Sequence, residues 1–444
     1  MTTLHKYLAA ASLAVMPLGA LAQTNGSNSP YSRYGFGLLG DGGNAFNKGM
    51  AGTAYGMRNG TELNTKNPAS YAAIDSLSFL FDVGVSLQNG NFSQSGTKTN
   101  ARNTSVDYIT TGFRMAPRFG MSIGLVPYST IGYEMTRTES RTAQDGYSQI
   151  EQTNTFSGDG GLHEVYAGIG WAPIKPLSFG VNVGYLWGDI EHNSVMDVSG
   201  TTSSSSNVPS TRQSYSADIR TYKVDFGMQY EHRISRKDQL TLGVTYGLGH
   251  DVNRTATFYN QRVQSSQIVS GDTLSCRNAF QLPHTFGVGL TWTHSNSLRV
   301  GADYTFQKWS NVKFPDVVTL ADNSQKYITQ KGFFADMHKV SLGAEYIPNP
   351  EGMRWRQRVR YRAGLSYATS YAKINGNDGP HDFLAALGVA LPIMNAYNSR
   401  SLINFSVQYE HVKPKTAGMI TENYIRFSIG LTFNERWFMK WKVD

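Results

Sequence analysis

Tyr424-Ile425-Arg426-Phe427-Ser428-Ile429-Gly430-Leu431-Thr432-Phe433 puts five large apolar side chains at odd positions and five polar or small ones at even positions. Successive side chains of a β-strand point to opposite faces, so this segment has one greasy face and one polar or small face. The pattern recurs along the chain. Phe79-Phe81-Val83-Val85, Phe119-Met121-Ile123-Leu125, Leu177-Phe179-Val181-Val183-Tyr185, Tyr222-Val224-Phe226-Met228-Tyr230 and Leu240-Leu242-Val244-Tyr246-Leu248 repeat it, each at alternate positions. So do Phe286-Val288-Leu290-Trp292, Leu298-Val300-Ala302-Tyr304-Phe306 and Val359-Tyr361-Ala363-Leu365-Tyr367. With less regular segments near Ile109, Val165, Val340, Leu387 and Phe405, the expectation is about 14 antiparallel strands.

A soluble β-sandwich alternates as well, so the connections decide. Short ones (Ala116-Pro117-Arg118, Ala172 to Lys175, Glu231 to Gln239, His294 to Ser297, Pro348 to Trp355, Ile393 to Arg400) take turns with long Ser-, Thr-, Asn- and Gly-rich ones. The long ones run near Asn89 to Thr104, Thr136 to Gly160, Glu191 to Ser214, Asp251 to Arg277, Ser310 to Gln330, Ser370 to His381 and His411 to Thr421. Segregation of loop length by parity belongs to outer-membrane barrels, with short periplasmic turns and longer extracellular loops. Trp171, Tyr185, Trp187, Trp292, Trp309, Tyr346, Trp437 and Trp441, near strand ends, suit interfacial girdles. A hydrophobic fraction of 40% is compatible with this, because only alternate residues of each strand meet lipid.

The N-terminus supplies the export route. Lys6 precedes an apolar stretch from Tyr7 to Leu21 that ends on Ala20-Leu21-Ala22, a small-x-small cleavage pattern before Gln23. Residues 1–22 therefore read as a signal peptide, too short to span a bilayer as a helix. The single cysteine, Cys276, is remote from that junction, which excludes a lipid anchor there and any disulfide framework. The formal net charge of +8 is spread without a basic run and points to no nucleic-acid partner.

Between Gln23 and Ser76 the alternation is missing. This stretch still carries Tyr34, Phe36, Leu38, Leu39, Phe46, Met50 and Met57, which need a surface to bury against. The lumen of the barrel is the available one. The domain reading is a signal peptide at 1–22, a hatch at 23–76 and a barrel at 77–444.

Leu63-Asn64-Thr65-Lys66-Asn67-Pro68-Ala69-Ser70 leading into the first strand resembles the FadL/TodX family of outer-membrane transporters for long-chain fatty acids and aromatic hydrocarbons. Gly124-Leu125-Val126-Pro127-Tyr128, Leu282-Pro283, Asp303-Tyr304 through Trp309-Ser310 and Gly343-Ala344-Glu345-Tyr346 are similar to that family's recurring phrases. The opening Ser29 to Gly35 and the ending Thr432 to Phe438 resemble versions found in Bacteroidetes. Asn67, Pro68 and Ala69 form the most specific motif. The resemblance implies a plugged barrel, an outer-membrane location and passive transport of hydrophobic small molecules with release sideways into lipid. It implies no enzymatic activity and no cofactor. The expected partners are outer-membrane lipid and a hydrophobic solute, and the expected state is a monomer. A non-transporting accessory subunit of secretion or assembly, and a general porin, are the alternatives.

Candidate site residues follow from faces. Phe36, Leu39 and Met50 are candidates to line an apolar pocket. Arg358, Arg360 and Arg362 alternate, which in one strand would put three guanidinium groups on the lumen face, either paired with carboxylates or facing an anionic headgroup. The other lumen-facing charges are Arg114, Lys223, Arg299, Lys339 and Arg426 against Asp82, Asp225, Asp303, Glu231 and Glu345. Pro127 cannot donate to a ladder and is the candidate for a kink that opens the wall. Gly120-Met121-Ser122-Ile123-Gly124 matches a hydrolase nucleophile elbow but sits inside an alternating strand, where no sharp strand-to-helix turn is available. Gly40 to Ala45 fits a relaxed dinucleotide fingerprint without the preceding strand, and the ten histidines show no metal-ligand spacing. Protein extracted from outer membranes is expected to begin at Gln23; an intact mass that retains residues 1–22 would overturn the signal-peptide reading.

Overall fold

The computed structural model describes residues 27–142, 149–200, 209–265, 267–322, 324–393 and 400–436. Residues 1–22, expected as a signal peptide, and Trp437 and Trp441 lie outside them. Fourteen antiparallel strands close a barrel. They are β1 (Ser78–Gln94), β2 (Thr97–Ala116), β3 (Phe119–Thr142), β4 (Gln149–Ile174), β5 (Leu177–Gly200), β6 (Ser210–Arg233) and β7 (Asp238–Gly247), followed by β8 (His284–His294), β9 (Leu298–Lys308), β10 (Met337–Tyr346), β11 (Arg360–Thr369), β12 (His381–Ile393), β13 (Ser401–Lys413) and β14 (Thr421–Arg436). Each strand pairs with its sequence neighbours, and β14 returns to β1 from Ser78↔Arg436 to Ser93↔Thr421. Closure pairs the lower wall all round, so no sheet edge meets lipid there.

Apolar alternation marks only the lower part of several strands. Residues expected as loops extend them: β1 and β2 form one hairpin with Ser95-Gly96 at its tip, and β3, β4, β5 and β6 are 24, 26, 24 and 24 residues long. A bilayer needs only about 10 residues of a tilted strand. Beyond that length no face must be greasy, so Thr-, Ser- and Asn-rich sequence continues the ladder without the period-two signal. The loop between β7 and β8 likewise holds a hairpin. Its strand Ala256–Gln264 pairs with the upper part of β6, from Ala256↔Ala217 to Val263↔Ser210, where the short β7 leaves β6 without a partner.

The outward faces form a continuous apolar belt that includes Phe81, Ile123, Ile169, Val183, Phe226, Val288, Val300, Leu342, Leu365, Leu387, Val407 and Phe427, all exposed. Soluble monomers rarely expose an apolar patch beyond a few hundred Å², so the belt reads as lipid-facing. Inward positions are small or polar: Asp82, Ser122, Asn182, Gln229, Thr291, Asp303, Ser341, Glu345, Arg362 and Ser428 are buried. No helix among the described residues is long and apolar enough to cross a membrane.

Loop parity fixes the expected orientation. In a background with Cys276 replaced by alanine, a cysteine at Ser270, exposed on the hairpin above β6, should react with an impermeant maleimide on whole cells. A cysteine at Ser295, in the tight turn between β8 and β9, should react only after permeabilisation. The reverse pattern would invert the topology.

Candidate functional site

Residues 27–77 lie inside this wall and meet nearly every strand of it. The barrel has made room for them with glycine. A methyl group at Gly120 (β3) would strike the Tyr71 carbonyl, at Gly170 (β4) or Gly180 (β5) the Pro68 carbonyl, and at Gly243 (β7) the Tyr55 carbonyl. At Gly343 (β10) and Gly364 (β11) it would strike Met50, and at Gly388 (β12) it would strike Gly49. Gly120 thus belongs to the sleeve around the hatch, which accounts for the glycine of the elbow-like motif; the Ser122 hydroxyl lies 3.0 Å from the Tyr166 hydroxyl, with β3 fully extended.

Hatch backbone pressed against a wall needs polar partners, and inward side chains supply them. The Asp303 carboxylate accepts the amides of Ala54 and Tyr55 at 2.6 and 2.9 Å, and Gln229 donates to the carbonyls of Tyr55 and Met57 at 2.9 and 3.1 Å. The Asn-Pro-Ala motif is a corner of this scheme. The Asn67 side chain accepts from Ala69 at 3.1 Å to cap the 3-10 helix Pro68–Ala73, and donates to the carbonyls of Tyr55 and Met228 at 2.9 and 3.3 Å. Pro68 fits the first turn of that helix because its missing N–H has no partner to lose there.

The strongest tether is ionic. Glu62 of the hatch meets both Arg360 and Arg362 of β11, and Arg362 also donates to Glu345 of β10 at 2.7 Å and to Asn404 of β13 at 2.7 Å. Arg299 of β9 closes the row on Glu345 at 2.9 Å. Elsewhere Lys48 pairs with Asp107 at 2.6 Å, and Asp41 bridges Lys66 and Lys339 at 3.0 and 2.8 Å. Lys223 meets Asp225 and Glu164, and Arg426 meets Glu410. Arg358 departs from the alternating picture. It ends the short 3-10 helix Trp355–Gln357 below β11 and its Nε donates to the Gly352 carbonyl at 2.6 Å, so the three guanidinium groups do not share a face. Arg360 and Arg362 are committed to carboxylates.

Of the three apolar candidates, two come together and one lies apart. Phe36 is fully buried among Phe280, Trp309 and Phe314, each 5.9 Å away between ring centroids, with Phe334 and Tyr371 completing the cluster. Most of these rings come from the connections between β7 and β8, β9 and β10, and β11 and β12, which fold inward over the hatch. Alternation could not announce them. Met50 sits lower, in a separate contact group with Phe46 and Met57. Leu39 packs against the Phe36 cluster from a short strand, Leu38–Leu39, paired with β3 as Leu38↔Thr130 and Leu39↔Ser129.

It can pair there because the wall forks. Pairing of β2 with β3 runs from Ala116↔Phe119 to Ile109↔Leu125 and stops. Above that point β2 stays with β1 and β3 stays with β4. Both strands carry an irregularity at the fork, β2 beside Gly84/Val85 of its partner and β3 between Pro127 and Ser129. The hatch fills the opening. Gly40 donates to the Tyr128 carbonyl at 2.7 Å, Gly132 of β3 donates to the Ser32 hydroxyl at 3.1 Å, and Asn28 donates to Asn103 of β2 at 2.7 Å.

With this geometry in view, comparison with known proteins is informative. The model of the BamG family matches residues 4–444, nearly the whole chain. The chain belongs to the BamG family. No curated protein matches it. Among solved structures, the Pseudomonas putida toluene transporter TodX is similar at 15% identity, over 90% of this chain and 100% of that one, with a TM-score of 0.59. A Pseudomonas aeruginosa FadL homologue is similar at 12% identity over 89% and 99%, with a TM-score of 0.58. The CymD monoaromatic hydrocarbon channel is similar at 14% identity over 91% and 99%, with a TM-score of 0.57. The fold is therefore that of the FadL/TodX outer-membrane channels, of which TodX is a toluene transporter and CymD a monoaromatic hydrocarbon channel.

Breaking a buried ion pair by removing one partner costs about 3–5 kcal/mol, because the other charge is left stranded. Arg362→Ala removes the charge that Glu62 and Glu345 share, leaving each with one partner, Arg360 and Arg299, and should lower the unfolding midpoint of the purified barrel, while Glu62→Gln together with Arg362→Met should recover part of the loss. Equal midpoints for wild type and Arg362→Ala would remove the tether from the account.

Proposed function

We propose that this barrel moves a hydrophobic small molecule, a long-chain fatty acid or a compound of similar character, from the outer surface into the bilayer, with the fork between β2 and β3 as the side exit. The observation that carries the reading is the fork itself. A wall otherwise paired all round loses its pairing at Pro127, beside the aromatic cluster, and what closes it is a two-residue strand of the hatch. A typical hydrogen bond contributes only about 1 kcal/mol net, so withdrawing Leu38–Leu39 and Gly40 from β3 is a modest step. The lower hatch stays fixed by Glu62, Asn67 and Asp303. Gly40, Gly42 and Gly43 lie between the two parts, and Gly42 adopts a left-handed φ of 63°. Apolar solutes are retarded by the polar cell surface, and a lateral exit delivers them to lipid without crossing water. Such a path uses Phe36 and Leu39 as its apolar lining; Met50, deeper in the sleeve, supports the fixed half.

A second reading, a non-transporting accessory subunit of a secretion or assembly machinery, is favoured by the filling of the lumen. The rings around Phe36 pack against one another, and the accessible groups beside the hatch are the charged Asp41, Lys66 and Lys339. A general porin would need this space empty.

One experiment separates the first two. Leu39 and Ser129 are register partners, and antiparallel partners lie about 4.5–5.5 Å apart at Cα, within disulfide reach. In the Cys276→Ala background, Leu39→Cys with Ser129→Cys should abolish protein-dependent uptake of labelled oleate or toluene when oxidised and restore it on reduction. Uptake that is equal with and without the protein across several apolar probes would leave the accessory reading in possession.

A further inference from the structure

The outer wall carries a second feature, away from the fork. Across β10, β11, β12 and β13 the lipid-facing side chains form two rows. Nearer mid-wall, Ala344 faces Ala363, which faces Leu387, which faces Val407; one step towards the short-turn end, Tyr346 faces Tyr361, which faces Val389, which faces Phe405. The paired alanines leave a dip between the larger Leu342 and Leu365 on one side and the two tyrosines on the other. The result is an open apolar concavity of about 550 Å³, floored by Arg362, Gly388 and Ser406. Ligand sites of this size accommodate molecules with long apolar segments.

Directly below it lies the turn that joins β10 to β11. It holds Arg354 and Arg356, both exposed, against one acid, Glu351. It also presents Met353 at 90% exposure and Trp355 at 44%. Trp355 is held across β12, its indole N–H donating to the Pro392 carbonyl at 2.9 Å, so the turn is fastened under the concavity. Exposed Trp and Met beside arginine are suited to the boundary between hydrocarbon and headgroups.

We propose that this face binds one anionic phospholipid of the periplasmic leaflet, an acyl chain lying over Ala344 and Ala363 and the phosphate held by Arg354 and Arg356. Two independent features meet here, a greasy dip of chain-sized width and a positive turn at headgroup level, and guanidinium pairs with phosphate in a planar, two-point manner. The inference does not depend on whether the lumen conducts anything.

The test is native mass spectrometry of the full mature chain released from nanodiscs of phosphatidylglycerol and phosphatidylethanolamine. One retained phosphatidylglycerol is expected. Ala344→Leu with Ala363→Leu, both on the lipid side of the wall, should cut its retention about tenfold, the equivalent of about 1.4 kcal/mol. Ala167→Leu, an equally lipid-facing change on β4, should leave it intact. Arg354→Gln with Arg356→Gln should abolish the preference for phosphatidylglycerol over phosphatidylethanolamine while heat-modifiable migration shows the barrel still folded. Retention that survives filling of the dip, a preference that survives loss of both arginines, or a co-purifying protein cross-linked at position 363 in place of lipid, would each overturn the proposal.

Discussion

The close approach of hatch backbone to barrel backbone is the constraint on which the rest of this structure depends. Glycine weakens a strand by roughly 0.5–1 kcal/mol relative to alanine, yet the inward positions of β3, β4, β5, β7, β10, β11 and β12 carry it at Gly120, Gly170, Gly180, Gly243, Gly343, Gly364 and Gly388. The wall tolerates this because closure pairs its backbone independently of side chains, and because each missing side chain is replaced by a piece of hatch. Space that would be filled by inward residues in an empty barrel of this size is filled by a second layer of main chain.

Two layers of main chain at contact distance raise a polar problem that side chains must solve. Asp303, Gln229, Asn67 and Asn64 solve it by bonding to peptide groups of the hatch; Asn64, for example, donates to the Ala54 and Met57 carbonyls at 2.7 and 2.9 Å. The Glu62, Arg362 and Glu345 cluster then fixes register. A buried pair is a weak source of net stability but a strong penalty on any arrangement that separates its members, and a hatch shifted by one residue would separate them.

The 14 strands were readable because lipid outside and a crowded lumen inside impose opposite demands on neighbouring residues, as in Tyr424 to Phe433. That signal ends where the membrane ends, so the upper halves of β3 to β6 look like loops in sequence although they are strands. Lys223 with Asp225, and Arg299 with Glu345, were legible as lumen-facing charges because strand geometry assigns their faces. Their partners in the hatch were not: Glu62 and Arg362 are 300 residues apart, and Glu62 sits in a stretch with no period to place it. The alternation of Arg358 with Arg360 and Arg362 overreached, since β11 begins only at Arg360. Pro127 was singled out for a missing donor, and the pairing of β2 with β3 ends close to it, but the sequence carried no sign that Leu38 and Leu39 would pair with β3 there. The inward-folded rings of Phe280, Trp309, Phe314 and Phe334 were equally silent, because irregular loops have no face.

The hatch is consequently attached in two ways. From Asn44 to Ala73 it is welded: capped helices, buried carboxamides and charges tie it to β1, β6, β9 and β11, and every one of these contacts would be lost together. From Ser27 to Gly43 it lies in the fork on a two-residue ladder with β3, hydroxyl bonds to Gly132 and a carboxamide contact with Asn103, and is held further by Ser29 on Glu422, Tyr371 on the Tyr34 carbonyl, the Asp41 ion pairs and the burial of Phe36. The two parts therefore differ in what they lean on: the lower one on wall that is paired all round, the upper one on β3 above the point where that strand has parted from β2.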